Sequence, residues 1–423
     1  MIIICEPLCR NFSHEKVNSG FLTALSLAYP EETLCLHAHL DHIEALKSIL
    51  LHDSITLNNI QYVPTKFGET SGIFGWMMNF FIFTSIFHNS IRYGNRKLFF
   101  LSYNASLLFI LKCLKLRRCF TSLNFALVLH GSFENIAPKP HSISDIPPAP
   151  VIRKPVADRI RAITLKKLAL FCKMHIDRRF KFWHFLSKAL FQEKKMLLWQ
   201  HTSAFRYICL APHVMSNAKK YIDTDTSNMQ TLVMPINFSS PKPPPQNSNV
   251  KFATFGYGNS KMLYQLLLSL SSLPLKNSYE IRVIGMDSKG TEGFSNVVAV
   301  SPGKPLTRAD MEAYARDIDI FLILYEKDRY RLSCSGSIFE SLSYSKPILH
   351  LANECIDAFN RPTTPIGYSC DTIDALAHKM AEIIDSYPEG HTELTTFREN
   401  IMDARKTYSI ENSVTTLREI FTW

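Results

Sequence analysis

Glycine is scarce, 15 in 423 residues and without a repeat, which excludes a collagen-like fibre. Ten cysteines are too few for a disulfide-stapled scaffold in a chain this long. No apolar run reaches the roughly 20 residues that span a bilayer. The most apolar stretch, residues 73–87, is interrupted by Asn79 and is read as a buried helix or a membrane-facing one. The apolar start of the chain ends at Cys5, is broken by Glu6 and Pro7, and has no basic residue ahead of it. It therefore does not read as a secretory signal, and reduced thiols in a cytoplasmic protein are expected. Cys5 and Cys9 form a C-x3-C with no second pair at metal-binding spacing, so no metal site is assigned there.

What is present is ordinary for a globular protein: 46% hydrophobic and 20% charged residues. The length fits about two to four domains. The charge is divided unevenly. Residues 1–249 hold 29 basic and 15 acidic side chains, net +14, whereas residues 250–423 hold 18 and 22, net −4. The basic half points to a partner with negative charge, such as a membrane surface, a nucleic acid or a phosphorylated substrate.

Short apolar runs alternate with helical patterns. Residues 2–5, 33–37, 60–63, 97–102, 126–130 and 207–210 read as strands, with a helix at 18–29 that Asn18 or Ser19 would cap. After residue 250 the alternation restarts, with strands at 250–255, 280–285, 296–300, 319–324 and 347–351 and helices at 260–272, 307–316, 336–345 and 371–386. Alternation of this kind predicts an α/β protein with parallel sheets covered on both faces. Residues 239–249 are polar and Pro-rich and read as a linker. The expected layout is two doubly wound, Rossmann-like domains, 1–238 and 250–423, facing a central cleft. The last helix would pack back on the first domain.

Four loops at predicted strand ends carry chemistry. In residues 254–261, Gly256 and Gly258 let backbone amides approach a phosphate, and Lys261 adds a point charge at a helix start. In residues 325–340, Arg329 and Arg331 offer forks for phosphate oxygens, and Ser335, Gly336 and Ser337 open a helix as an anion site. Glu340, one turn further on, suits vicinal hydroxyls such as those of a ribose. In residues 127–134, His130 stands at a strand end, suited to hydrogen-bond a sugar or move a proton, with Glu134 nearby. The loop after the first strand holds Glu6, His14, Glu15 and Asn18, and either His14 or Glu15 could serve as a general base. Residues 151–200 form a basic insert, 13 Lys/Arg against three acids, interspersed with Phe and Trp. That composition suits an anionic leaflet more than nucleic acid, because no nucleic-acid motif accompanies it. Asp223-x-Asp225 follows a predicted helix in a polar turn and is not assigned to a metal.

Residues 309–349, together with 255–261 and 130–134, resemble the GT-B class of glycosyltransferases, especially bacterial enzymes that build cell-surface polysaccharides. The Ser/Gly helix start, Glu340 and Ser345-Lys346-Pro347-Ile348 carry the likeness, with Ser345 where the family usually has Gly. The resemblance implies a nucleotide-sugar donor as substrate and no separate cofactor. Lys261, Arg329 and the Ser335–Ser337 turn would hold the diphosphate, Glu340 the ribose, and His130 would contact the sugar. A glycan or lipid-linked acceptor would bind the basic first domain, on the inner face of a membrane. Many retaining members carry a Glu-x7-Glu pair, but the position eight residues before Glu340 is Leu332, which leaves the stereochemistry open. An inverting enzyme would need Glu15, His14 or Glu134 as base. The rival readings are a nucleotide-sugar epimerase or hydrolase on the same fold, and a non-catalytic membrane or nucleic-acid adaptor.

Overall fold

The computed structural model describes residues 1–69, 73–131, 134–136, 193–199, 203–222, 225–238, 247–256, 259–285, 288–300, 306–388 and 392–421, with 240, 241, 243 and 245. Most of the basic insert thus lies outside the described residues.

The first sheet is built from β1 (Ile2–Glu6), β2 (Leu34–Ala38), β3 (Ile60–Pro64), β4 (Lys97–Phe100), β5 (Asn124–Leu129), β6 (Phe205–Cys209) and β7 (Met229–Thr231). All pairings are parallel, in the order β3-β2-β1-β4-β5-β6-β7. Its helices are α1 (Glu15–Ala28), α2 (Leu40–His52), α3 (Ile73–Arg92), α4 (Ala105–Lys115), α5 (Glu193–Leu198) and α6 (Pro212–Asn217). β1 and β5 are buried almost along their whole length, as befits strands covered on both faces. α1 packs with α2, and α3 with α4. The first pair follows crossovers toward β3 and the second crossovers back across β1, so right-handed connections set the pairs on opposite faces.

The second sheet has the order β10-β9-β8-β11-β12-β13, again parallel throughout. Its strands are β8 (Lys251–Phe255), β9 (Glu280–Ile284), β10 (Val297–Ala299), β11 (Ile320–Ile323), β12 (Ile348–Leu351) and β13 (Gly367–Cys370). Its helices are α7 (Ser260–Ser271), α8 (Arg308–Ala315), α9 (Gly336–Ser343), α10 (Glu354–Asp357), α11 (Ile373–Ser386), α12 (Thr392–Thr407) and α13 (Ile410–Ile420). Asn259, Thr307, Ser335, Asn353 and Thr372 each cap the helix that follows with a side-chain oxygen. The α/β class with two doubly wound parallel sheets is therefore as the sequence predicts.

One local expectation fails. α1 starts at Glu15, so Asn18 and Ser19 lie inside the helix, both fully buried. Asn18 is held there by Glu6 rather than by capping. Gly20 has its own reason: a Cβ there would stand 2.0 Å from the Pro235 carbonyl oxygen, so only glycine lets α1 press on the chain leaving the first sheet. At the far end of the molecule α13 lies on α1. Tyr29 donates its hydroxyl to the Leu417 carbonyl (2.8 Å), and Arg418 reaches the Ala28 carbonyl (3.1 Å).

Candidate functional site

Strand order reverses between β1 and β4 in one sheet and between β8 and β11 in the other. In doubly wound sheets the crevice at such reversals, outside the carboxyl ends of the strands, is where ligands bind.

On the first domain, the loop after β1 is tied down by a buried polar network. Glu6 accepts the Leu8 and Cys9 amides (3.0 Å each), Asn18 Nδ2 (3.0 Å) and the Ser102 hydroxyl. The same Asn18 nitrogen reaches His42 Nε2 (3.0 Å), and His42 Nδ1 bonds the Asn11 carbonyl (2.9 Å). Ligand atoms of Glu6, Cys9 and His42 come within 4.8 Å of one another, but the Asn18 amide bridges Glu6 and His42 by hydrogen bonds. The loop ends at His14, in left-handed backbone at φ 54°, which presents its ring to His130 at 4.8 Å. Burial, and then His14, push the His130 pKa down to about 3; its Nε2 is buried and has no partner among the described residues. His14 is also held below the ordinary value, chiefly by the surrounding protein. Both imidazoles are neutral near pH 7.

Glu15 opens α1 beside this pair. Burial first, then the charges of Asp53 and Glu340, raise its carboxyl to about 7 against the opposing pull of Arg308.

On the second domain, Gly256 (φ 76°) turns the chain out of β8, and a Cβ there would meet Ser337 Oγ at 3.1 Å. Ser337 donates its hydroxyl to the Phe255 carbonyl (2.9 Å) and accepts from Tyr325, which also bonds Ser335 Oγ (2.8 Å). Asn259, the cap of α7, donates to Glu326 (3.0 Å). These bonds draw the starts of α7 and α9 to one crevice, with amide-rich ends facing the same place. Gly256, Ser335, Gly336 and Ser337 meet there, and Lys261 stands exposed in the first turn of α7. Gly258 lies outside the described residues. Arg329 is exposed, stacked over Tyr330 at 5.2 Å, whereas Arg331 turns away, paired with Asp328 and lying over Tyr221 at 5.3 Å.

Two sets of contacts join the domains around this crevice. In the first, Glu340 receives Lys16 (2.9 Å) and Arg308 (3.1 Å), while Lys16 also donates to Ser343 (2.9 Å). Burial works against the Glu340 charge, but the two cations hold its pKa below the ordinary value. Its carboxylate is thus engaged in one ion pair across the domains, with Lys16, and one within its own domain, with Arg308. In the second, the backbone of 330–333 is gripped from the first domain. Glu134 accepts the Arg331 and Leu332 amides (3.0 Å each) and the Ser333 hydroxyl (2.9 Å). His213 Nε2 donates to the Tyr330 and Ser333 carbonyls (2.8 and 3.1 Å), and Asn217 donates to the Arg331 carbonyl (2.9 Å). Sequence reasoning did not single out Lys16, Arg308, His213 or Asn217. The one available signal for the last two was a polar helix start following a strand end.

No protein-family model matches the chain, and no curated protein matches it in sequence. Solved structures do match in shape. The lipopolysaccharide outer core galactosyltransferase WaaB superposes with a TM-score of 0.60 at 9% identity, covering 99% of this chain and 98% of that one. A glycosyltransferase from Rickettsia africae gives 0.55 at 10% identity (99% and 97%), and HepE from Anabaena, solved with UDP, gives 0.53 at 10% (99% of both). The chain therefore has the GT-B fold, two Rossmann-like domains flanking a cleft.

Proposed function

We propose that the protein is a glycosyltransferase that moves a sugar, of the hexosyl type, from a nucleotide-sugar donor to a glycan or lipid-linked acceptor in surface polysaccharide synthesis, working peripherally at the cytoplasmic face of a membrane. The observation that carries the reading is the convergence of two capped helix starts, α7 and α9, on the Gly256 turn, with α9 tied to the first turn of α1, next to Glu15, by the Lys16–Glu340 ion pair. Oriented amides at one point stabilise the charge that develops on a departing diphosphate. Lys261 and Arg329, both exposed beside that point, add positive charge that closes on the leaving group. His130, neutral and with a buried Nε2 that has no partner among the described residues, suits contact with a sugar hydroxyl. Glu15, half-ionised near neutral pH, suits removal of the acceptor proton. The likeness in shape to HepE, solved with UDP, supports a uridine nucleotide.

The test is a panel of nucleoside diphosphates and nucleotide sugars followed by thermal unfolding. One nucleotide should stabilise the protein saturably, by about 2.7 kcal/mol at a hundredfold excess over its Kd. The exposed pair Lys261→Ala/Arg329→Ala should weaken that response without lowering the unliganded melting temperature. Absence of any nucleotide response in the intact chain sinks the proposal.

A further inference from the structure

α3 holds no acidic residue along its whole length, and it is amphipathic in an unusual way. One side carries Asn79, Phe83, Ile86, Phe87 and Ser90 into the core. The opposite, solvent-facing stripe runs through residues 74, 77, 78, 81, 85, 88, 89 and 92. Its second half is Ser85, His88, Asn89 and Arg92, as expected of a face in water. Its first half is Phe74, Met77, Met78 and Phe81, exposed by 85%, 44%, 43% and 64%. Four large apolar side chains at i, i+3, i+4 and i+7 make one patch, which is more than the scattered surface Leu or Phe that needs no explanation.

Basic groups gather on one side of the patch, while exposed Glu69 lies beside Gly75 in the first turn of α3. Arg117 lies over the ring of Phe80 at 5.3 Å, and Arg117 and Arg118 are both exposed in the turn after α4. The chain that re-enters the described structure after the basic insert does so at the same place. α5 packs on α4, Trp199 stacks on Phe109 at 5.3 Å, and Phe109 touches Trp76 of α3 at 6.3 Å. The insert, 13 basic against three acidic residues over 151–200, thus rejoins the fold beside the apolar patch. The patch occupies the end of α3 nearest the carboxyl edge of β3, the edge that also carries His14 and His130.

We propose that this first half of α3, with Arg117 and Arg118, is the surface by which the protein docks on a bilayer containing anionic lipid. It names the contact surface of the membrane-associated reading above and rests on that reading. Phe74, Met77, Met78 and Phe81 enter the boundary between headgroups and acyl chains, and the arginines meet lipid phosphates. Among the described residues no helix is long and apolar enough to cross a membrane, so attachment is by one face. A lipid-linked acceptor would then be offered at the level of the cleft.

The experiment is co-sedimentation of the full-length chain with phosphatidylcholine vesicles and with vesicles also containing phosphatidylglycerol. The wild type should bind the anionic vesicles, and Phe74→Ser/Phe81→Ser should lower that affinity about tenfold or more. Arg117→Glu/Arg118→Glu, or high salt, should weaken anionic binding as well. Leu51→Ser, an equally exposed apolar side chain at the end of α2, should change nothing. Failure of the wild type to sediment, or equal binding by the double serine variant, overturns the proposal. So does a serine variant that only turns a wild-type dimer into a monomer, which would make the patch a contact between copies. Nucleotide stabilisation is measured on the same samples: an intact response with failed docking removes the docking surface and leaves the transferase reading in place.

Discussion

Glu15 and Glu340 sit in the same interdomain field and are driven in opposite directions. Glu340 has two cations within 3.1 Å and stays ionised. Glu15, raised first by burial and then by Asp53 and Glu340 against the pull of Arg308 and His52, keeps its proton until about pH 7. The linkage follows from the proton count. In the unfolded chain Glu15 titrates near 4.5. Between that value and about 7 the folded state binds more protons, so its contribution to stability falls as pH rises through this window. Glu15→Gln should remove that fall. Urea midpoints measured at pH 5 and pH 8 should lie closer together in the variant than in the wild type. If Glu15 also takes the acceptor proton, the same variant should lose roughly 10²–10⁴-fold in kcat together with the rise of rate through pH 7. Activity that keeps its pH profile in Glu15→Gln would return the role of base to another group. The sequence placed Glu15 in the loop after the first strand and Glu340 one turn inside a helix, both toward an expected cleft. It did not show their charge states, because Lys16 lies 324 residues from Glu340 and no local pattern pairs them.

The loop 325–335 is an element whose shape depends on the other domain. From its own domain, Asn353 holds the Glu326 and Arg329 carbonyls (2.9 Å each). On the far side, Glu134, His213 and Asn217 hold the backbone of 330–333, and Arg331 lies over Tyr221. Glu134, expected from sequence to be a candidate base, has both oxygens occupied by this loop. Its removal leaves two amides and a hydroxyl without their acceptor, at about 1–3 kcal/mol for each group that water does not reach. Glu134→Ala should therefore speed hydrogen exchange at the Arg331 and Leu332 amides and lower nucleotide affinity, while leaving exchange in β8 and β12 unchanged. Unaltered exchange at those amides would show that the loop holds itself. Helix starts were legible here, since Asn259, Ser335 and Asn353 are capping residue types at the right places. The grip was not, since the side chains of Glu134, His213 and Asn217 hold mainly backbone groups of 330–333, and backbone groups carry no sequence signature. α3 was legible only in part. Its hydrophobicity was plain, but which half faces solvent depends on α4 and the sheet beneath it.

At the scale of the whole molecule, the two repeated strand–helix alternations made both parallel sheets readable from sequence, since each buried strand is a near-continuous apolar run. The short edge strands β7 and β13 were missed, and so was α12, whose sequence is polar enough to look like surface, whereas the last helix, α13, packs back on the first domain as expected. α13 is what links the end of the chain to the first domain. Leu417 is fully buried between it and α1, and Phe421 reaches both Tyr29 and Phe99 (6.4 Å each). A helix that belongs to one domain in sequence and to the other in packing makes the two lobes unfold together. Leu417→Ala should cost roughly 2–5 kcal/mol through the cavity it leaves. It should also split one cooperative urea transition into two, because the strap that couples the lobes is the part weakened. Tyrosine and tryptophan fluorescence separates the outcomes, since Trp76 and Trp199 both report on the first domain. A single transition, merely shifted to lower urea, would mean that the contacts of Lys16, Glu134 and His213 couple the lobes without help from α13.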